Sequence, residues 1–280
     1  MLINKTFVSL EQLCIMNSTP NTSLQRSLVL DIDSRGIQFL AHGSATPLES
    51  GYIALDQSIE DVRQALENAV YDNAFLLNDY ATTAIALHSS HFALMPSDLV
   101  KSKLASKVLE ASFSTVDGDL LTSDIPGTDA AIACDIRLGV LPFIRRTFAG
   151  ATILPHLVPW CAYCVKAYAE DTACMHIHSD NSEAHIVVIE NGKLQMANTF
   201  SYHAIEDVAY YAMNMWKACH LNSSRDKVML TGDNELRTKL AEQLRQWIAF
   251  VMPQMAPLQA LKMGPEAATL PFNLLTLALF

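Results

Sequence analysis

The sequence has 280 residues, of which 50% are hydrophobic and 17% are charged, and its formal net charge is −10. This composition predicts a folded chain with one large domain or two smaller ones, because disordered chains are rich in charge and poor in aliphatic residues. The negative charge and the lack of any run of Lys or Arg argue against nucleic acid as a partner.

Neither end of the chain shows a targeting or membrane-spanning pattern. The first fifteen residues mix Lys5 and Glu11 with apolar residues, so no secretory signal is predicted. The apolar segment 270–280 is about half of the ~20 residues that a spanning helix needs, and we interpret it as a buried final helix or strand. Six scattered cysteines favour reduced thiols. We therefore expect a cytoplasmic protein without membrane insertion.

The first part of the chain predicts a three-stranded meander followed by a helix. A tight turn at 34–36 separates the first two strands. The predicted strands are 28–33, 37–41 and 51–55. The helix has Ser58 as its N-cap, Asp61 as a weak capping-box partner, and an end near 72–73. Its helical spacing comes from Ile59, Val62, Leu66 and Val70.

Apolar runs and capping residues predict further elements up to about residue 171. They are a strand at 82–87, a helix at 98–111 capped by Ser97, a strand at 130–136, apolar segments at 143–148 and 151–154, and a helix that begins near Pro159.

The second part of the chain repeats this order. The hairpin signal Asn191-Gly192 joins the last two strands of a second meander. The predicted strands are 174–178, 184–190, 193–200 and, after a helix, 228–230. That helix begins with Ile-Glu-Asp-Val at 205–208, the same four residues as at 59–62. Its apolar positions are Ile205, Val208, Ala212, Met215 and Cys219. A last helix is predicted from an Asn234 cap, through Leu236, Leu240, Leu244, Trp247 and Val251, to Pro253.

Two copies of meander, helix, strand and helix predict an α/β protein. Each copy would be a mixed sheet, with a three-stranded meander and parallel strands, flanked by helices. We divide the chain into an N-terminal extension at 1–26, a first half at 27–165 and a second half at 166–280.

The order of elements resembles that of the actin, sugar kinase and Hsp70 superfamily. At a finer level the chain is similar to an uncharacterised bacterial family, domain of unknown function 3822, to which an actin-like ATPase fold is assigned. The segments that carry the resemblance are His91-Phe92-Ala93-Leu94-Met95-Pro96, Asn198-Thr199-Phe200-Ser201-Tyr202 and Glu206-Asp207-Val208-Ala209-Tyr210-Tyr211. The resemblance covers 27–280 and implies an actin-like fold of two ribonuclease H-like units. It implies no activity.

The superfamily holds ATP between its halves with an Asp-x-Gly turn from each half and a Gly-Gly loop for adenosine. The first turn here would be Asp31-Ile32-Asp33, which has an acid in place of glycine, and the second would be His176-Ile177-His178, which lacks both acid and glycine. The adenosine loop would be Gly232-Asp233. A carboxylate facing phosphate repels it unless Mg²⁺ intervenes. These departures argue against ATP hydrolysis. The candidate nucleotide or metal residues are Asp31, Asp33, His176, His178, Gly232 and Asp233.

Two functions follow from this resemblance. The first is a scaffold or weak nucleotide binder that works through a protein partner of unknown identity. The alternative is an active ATPase or phosphotransferase in which Asp31 and Asp33 hold Mg²⁺, and ATP with Mg²⁺ is the one cofactor suggested. The plainer interpretation of Asp31 and Asp33 is two solvated acids that close a hairpin. No catalytic residue is assigned.

A zinc site is a further hypothesis. Cys161 and Cys164 have the two-residue spacing of one edge of such a site, and Cys174 and His176 lie nearby in sequence. Since Cys161 and Cys164 fall in an apolar helix, the simpler interpretation is a pair of buried thiols, and no metal is assigned.

Overall fold

The computed structural model describes residues 26–43, 46–168, 173–180 and 182–280. The predicted N-terminal extension lies outside these residues, except for Arg26. The strands are β1 Arg26–Ile32, β2 Gly36–Gly43, β3 Thr46–Ala54, β4 Thr82–Leu87, β5 Phe92–Pro96, β6 Asp119–Asp124, β7 Ala130–Ile136, β8 Thr152–Pro155, β9 Ala173–Ser179, β10 Glu183–Glu190, β11 Lys193–Ser201, β12 Lys227–Gly232 and β13 Phe250–Pro253.

The helices connect these strands and cover the sheets. They are α1 Val62–Asp72, α2 Ser97–Lys101, α3 Ala105–Ser112, α4 Val140–Thr147, α5 Leu157–Ala167, α6 Ile205–Ala218, α7 Asn234–Leu244 and α8 Phe272–Ala278, with short 3₁₀ helices at Ala74–Leu77, Ala260–Met263 and Pro265–Thr269. Within the described residues, none of the helices has the length and apolarity needed to span a membrane.

Two five-stranded sheets with the same topology form the body of the protein. Their strand orders are β3-β2-β1-β4-β8 and β11-β10-β9-β12-β13. In each sheet a meander of three antiparallel strands is followed by two parallel strands. The predicted fold class, a duplicated mixed sheet flanked by helices, is therefore confirmed. A small antiparallel sheet of order β5-β7-β6 is inserted in the first half.

The central strands of both large sheets are buried on both faces because both faces are covered. β1 and β9 are buried along nearly their whole length. Helix α5 packs between the sheets, where Trp160, Cys161 and Cys164 are buried. Val187 and Ile189 of β10 join the core of the first sheet, whereas Ile186 and Val188 face the core under α6 and α7.

The C-terminal helix α8 returns to the first half of the molecule. It contacts β1, β2, β4 and α5, and Phe272, Leu274 and Leu277 belong to the first core. The apolar end of the chain is thus a buried final helix, as one of the two interpretations predicts. The division at residues 165 and 166 stays a prediction, and 272–278 packs across it.

The start of α1 differs from the prediction. Its N-cap is Asp61, whose Oδ1 accepts a hydrogen bond from the Arg63 backbone N–H at 2.9 Å. Ser58 lies before the helix and donates instead to Asp56. The prediction that Ser58 caps this helix is wrong, because the chain between Asp56 and Asp61 forms its own turn.

The helix predicted at 98–111 is two helices, α2 and α3. Lys103 has a φ of 58°, and the Leu104 N–H donates to the Leu99 carbonyl in the 6→1 pattern that ends a helix. Ser97 is the first residue of α2 and not its cap.

The last predicted helix is also shorter than expected. Asp233, not Asn234, is its N-cap, because the Asp233 carboxylate accepts from the Glu235 and Leu236 N–H groups at 2.9 and 3.0 Å. The helix ends at Leu244, and Val251 lies in β13.

Candidate functional site

Two hairpin turns, one from each half, face each other between the large sheets. Asp33 follows β1 and Asp180 follows β9. One oxygen of Asp33 accepts from the backbone N–H groups two and three residues later, at 2.7 and 2.8 Å. Asp180 makes the same pair of bonds, both at 2.8 Å. The two aspartates are therefore structural equivalents that anchor identical turns.

This equivalence corrects the predicted second turn. The residues that match Asp31-Ile32-Asp33 are His178-Ser179-Asp180, two residues after His176-Ile177-His178. The second turn therefore has an acid. His176 does not line the cleft: it is 1% exposed, and its ring packs on Tyr168 at 4.5 Å. The error arose because the apolar run alone does not show that β9 continues through Ser179.

Arg35 bridges the two turns. Its Nη2 lies 2.7 Å from Asp33 Oδ2 and 2.8 Å from Asp180 Oδ2, and its Nη1 donates to Ser182 Oγ at 2.7 Å. Burial alone would raise the pKa of Asp180, but Arg35 and two backbone donors outweigh it and lower that pKa to about 2. A guanidinium therefore lies between the two turns and holds them together.

Asp31 is also engaged on both oxygens. His88 Nε2 lies 2.8 Å from Oδ1, and the Asn273 amide of α8 donates to Oδ2 and to Gln38 Oε1, the latter at 3.0 Å. Burial raises the pKa of Asp31, but the neighbouring His88 outweighs it, so the net shift is downward. Asp31 and Asp33 thus have separate partners and do not share one.

Gly232 and Asp233 lie beside the cleft at the end of β12. Gly232 has a φ of +100°, and a Cβ there would lie 1.9 Å from the Ser179 carbonyl oxygen, so only glycine fits. Asp233 caps α7, as described above. Both residues have a structural role in the second half.

Four imidazoles line the interior of the cleft: His88, His156, His178 and His185. The His88 and His156 rings stack with centroids 4.0 Å apart, and the His156 and His185 centroids are 4.9 Å apart. His178 pairs directly with His185 across the β9–β10 hairpin. Sequence analysis found only His178. The hairpin register could have revealed His185, whereas His156 comes from a distant segment.

The space left between these side chains is small. The interior cavity has a volume of 60 Å³ and is bounded by residues of both halves and by Trp160 and Phe272. Pockets that bind drug-sized ligands measure about 300–1,000 Å³. An outer groove of 610 Å³ lies on the other side of the first turn. Its charged or titratable lining comprises the acids Asp33, Asp117, Asp135 and Glu183, the arginines Arg35 and Arg137, and the histidines His88 and His91.

The proposed zinc ligands are not among the described side chains whose ligand atoms gather within 4.8 Å of one another. Cys161 and Cys164 lie on α5, while Cys174 and His176 lie on β9, and all four are buried. Burial raises the pKa of Cys161 to about 12, which favours its thiol form. In the part of the chain that the structure describes, one group of three or more metal-ligand side chains has its ligand atoms within 4.8 Å of one another, and it consists of His88, His156 and His185.

Comparisons with known proteins agree with this architecture. The family model described as Protein of unknown function (DUF3822) matches residues 16–251. A Bacteroides thetaiotaomicron protein with actin-like ATPase fold and unknown function is similar at 20% identity and a TM-score of 0.77, over 92% of this chain and 98% of that one. A PilM-PilN type IV pilus biogenesis complex is similar at 11% identity and a TM-score of 0.57, over 90% and 97%. No curated protein matches the sequence. The resemblance seen in the sequence and the actin-like ATPase fold are both confirmed.

Proposed function

The chain belongs to the DUF3822 family of proteins of unknown function, and from this premise we propose that it is a protein-interaction scaffold with a degenerate nucleotide site. It binds nucleotide weakly at most and does not hydrolyse ATP. We place it in the cytoplasm, where the thiols of buried residues such as Cys134 and Cys161 stay reduced.

The observation that carries this proposal is the occupied cleft. Arg35 joins the two turns, Asn273 holds Asp31, and imidazoles fill the interior down to 60 Å³. A triphosphate would have to displace an ion pair and a helix contact before it reached either turn. The outer groove is large enough for a small ligand, but four carboxylates line it against two arginines, and Arg35 is already paired with Asp33, so the balance of charge disfavours an anion.

A surface suited to a protein partner lies at the open edge of the second sheet. Residues 247–261 contain no charged side chain. Large apolar side chains in this segment are exposed; they are Trp247, Phe250, Met252, Met255, Leu258 and Leu261, which we call the β13 ribbon. Leu258 is 80% exposed and Met255 74%. Contiguous exposed apolar residues typically mark an interaction site. The PilM-PilN complex is an assembly that contains a chain of this fold with a second protein.

Titration calorimetry with Mg-ATP tests the nucleotide half of the proposal. We expect no saturable binding tighter than about 1 mM (about −4 kcal/mol), and no phosphate release. The alternative is an ATPase or phosphotransferase that holds Mg²⁺ through Asp31 and Asp33. It would give micromolar binding that disappears in Asp31→Asn and persists in Asp98→Asn, whose side chain is 90% exposed. That result would overturn the proposal.

Site-specific photo-cross-linking in the source organism tests the scaffold half. A cross-linking residue at position 258 should capture one heterologous protein, and Met255→Glu should reduce that capture. The matched control is a cross-linker at position 71, where Tyr71 is 58% exposed on α1. Capture of only a second copy of this chain, or equal capture from both positions, would argue against a partner at the β13 ribbon.

A further inference from the structure

Three of the cleft imidazoles, the buried His185 and the half-buried His88 and His156, form a cluster that spans both halves of the molecule. His88 follows β4, His156 follows β8, and His185 lies on β10. Each offers a ring nitrogen within 4.8 Å of those of the other two. Tetrahedral zinc sites use nitrogen ligands at about 2.0–2.1 Å from the metal. A small rotation of the side chains would therefore bring the three nitrogens to a common ion.

The hydrogen bonds around the cluster leave nitrogens available for a ligand. His185 Nδ1 pairs with Thr199 Oγ1 at 2.8 Å, so its Nε2 remains. His156 Nε2 is buried and has no hydrogen-bond partner. Buried polar atoms are nearly always satisfied, so an unpaired nitrogen of this kind is free to bind a water or an ion. Imidazole ligands whose second nitrogen is fixed by a neighbouring oxygen are the usual arrangement at metal sites.

The charges around the cluster favour a cation. Asp31 lies 2.8 Å from His88 and supplies a buried carboxylate beside the three rings. The 60 Å³ cavity leaves room for an ion with a water ligand.

We propose that His88, His156 and His185 bind one divalent transition-metal ion of the zinc class. A water completes its coordination, because both oxygens of Asp31 already have partners, and His88 contributes its Nδ1, since its Nε2 pairs with Asp31. Because His88 and His156 belong to the first half and His185 to the second, the ion joins the two sheets across the cleft. This site differs from the cysteine site that the sequence suggests. The metal site uses imidazoles of the same cleft that the proposed function treats as closed to nucleotide, whereas capture at the β13 ribbon does not depend on it.

Metal uptake by the untagged full chain tests this proposal. After dialysis against a chelator, the protein should take up one Zn²⁺ per chain, and its melting temperature should rise with the bound ion. Co²⁺ should give the visible absorption of a tetrahedral nitrogen-rich site without a thiolate charge-transfer band. A folded, metal-free protein that takes up neither ion at micromolar concentration overturns the proposal, whatever any variant does.

Variants locate the ion. His156→Asn and His185→Asn should each weaken Zn²⁺ binding about 100-fold or more, while far-ultraviolet circular dichroism of the metal-free variants reports that they fold. His220→Asn is the matched control, because His220 is exposed and its φ of 55° suits Asn. Cys161→Ser should leave binding unchanged. Binding that survives both histidine variants, or is lost only in Cys161→Ser, contradicts the assignment.

Discussion

The two halves of the protein have the same backbone around the cleft but different side chains in it. Each half places an aspartate, Asp33 or Asp180, after its first strand and anchors it with two backbone N–H groups. The positions two residues earlier differ, with Asp31 in the first half and His178 in the second. Opposite them on the neighbouring strands stand Gln38 and His185.

The turn aspartates are needed for the fold in both halves, whereas the side chains two residues earlier give the two halves different chemistry. The turn geometry depends only on an acid that accepts local N–H groups, so one aspartate per half suffices. The side chains at the equivalents of Asp31 point into the interior, where they face partners from distant segments. The first half holds a buried carboxylate there, and the second holds two imidazoles. The cleft is therefore asymmetric in charge although its frame is symmetric.

The first prediction concerns a position at which the two halves differ, the end of the fourth strand of each sheet. Gly232 in the second half occupies the position of Leu87 in the first. We expect Gly232→Ala to lower the free energy of unfolding by about 3 kcal/mol, because its φ is +100° and a Cβ would collide with the Ser179 carbonyl. Urea unfolding measures this.

The control for that substitution is Gly150→Ala. Gly150 has a φ of +83° but nothing lies within 4 Å of the added Cβ. Gly150→Ala should lower the free energy of unfolding by about 1 kcal/mol, which is the penalty of a left-handed backbone conformation alone. Equal losses at the two glycines would mean that close approach of the β9 and β12 backbones is not what requires glycine at Gly232.

The second prediction concerns how the free energy of unfolding falls at low pH. The folded-state pKa of Asp180 is about 2, below its ordinary value of 3.8. The stability that Asp180 contributes is therefore complete above pH 4 and is lost as the pH falls towards 2. We expect a loss of about 1 to 2 kcal/mol over that interval, since solvent reaches 31% of the side chain.

Urea unfolding at several pH values between 2 and 7 measures this contribution. Asp180→Asn should remove it from the pH profile and be less stable than the wild type at pH 7. Ser182→Ala is the control, because it removes a neutral hydroxyl that accepts from Arg35 and donates weakly to Asp180 at 3.4 Å, but it keeps the Arg35–Asp180 ion pair and both backbone donors. It should keep the wild-type pH profile. An unchanged profile in Asp180→Asn would show that the Arg35 bridge does not stabilise the fold.

The sequence predicts the sheets well because the central strands are continuous apolar runs. The strands at 82–87 and 130–136 have the predicted bounds in the structure. β6 was missed because its six residues include two acids, and its Leu120 is 44% exposed. β13 was assigned to a helix because Val251 continues the helical spacing of the apolar residues before it.

The site was harder to predict than the fold because its contacts join distant segments. Asp31 was identified, but its partner Asn273 lies 242 positions away. Arg35 was taken as part of a turn, and nothing local indicates that its guanidinium reaches Asp180 in the other half. The histidine cluster likewise needs residues from β10 and from the segments after β4 and β8 to meet. Only the pairing of His178 with His185 follows from a hairpin register that the sequence supplies.

The third prediction concerns the start of the first helix in each half, where one aspartate has two different roles. The tetrapeptide Ile-Glu-Asp-Val leads into α1 but opens α6. Asp61 is therefore the N-cap of α1, whereas Asp207 is the third residue of α6 and accepts from the Ala204 and His203 N–H groups at 3.0 and 3.1 Å. Asp61→Ala and Asp207→Ala should each lower the free energy of unfolding by about 1 kcal/mol. Urea unfolding measures this.

Serine distinguishes the two roles of this shared aspartate. Asp61→Ser should be nearly neutral, since a hydroxyl at an N-cap still accepts from the following N–H groups. Asp207→Ser should cost as much as Asp207→Ala, because a serine side chain is too short to reach back from the third helical position to the N–H of Ala204. Equal responses to serine would mean that the tetrapeptide caps both helices in the same way, and that the two halves are more alike here than their hydrogen bonds indicate.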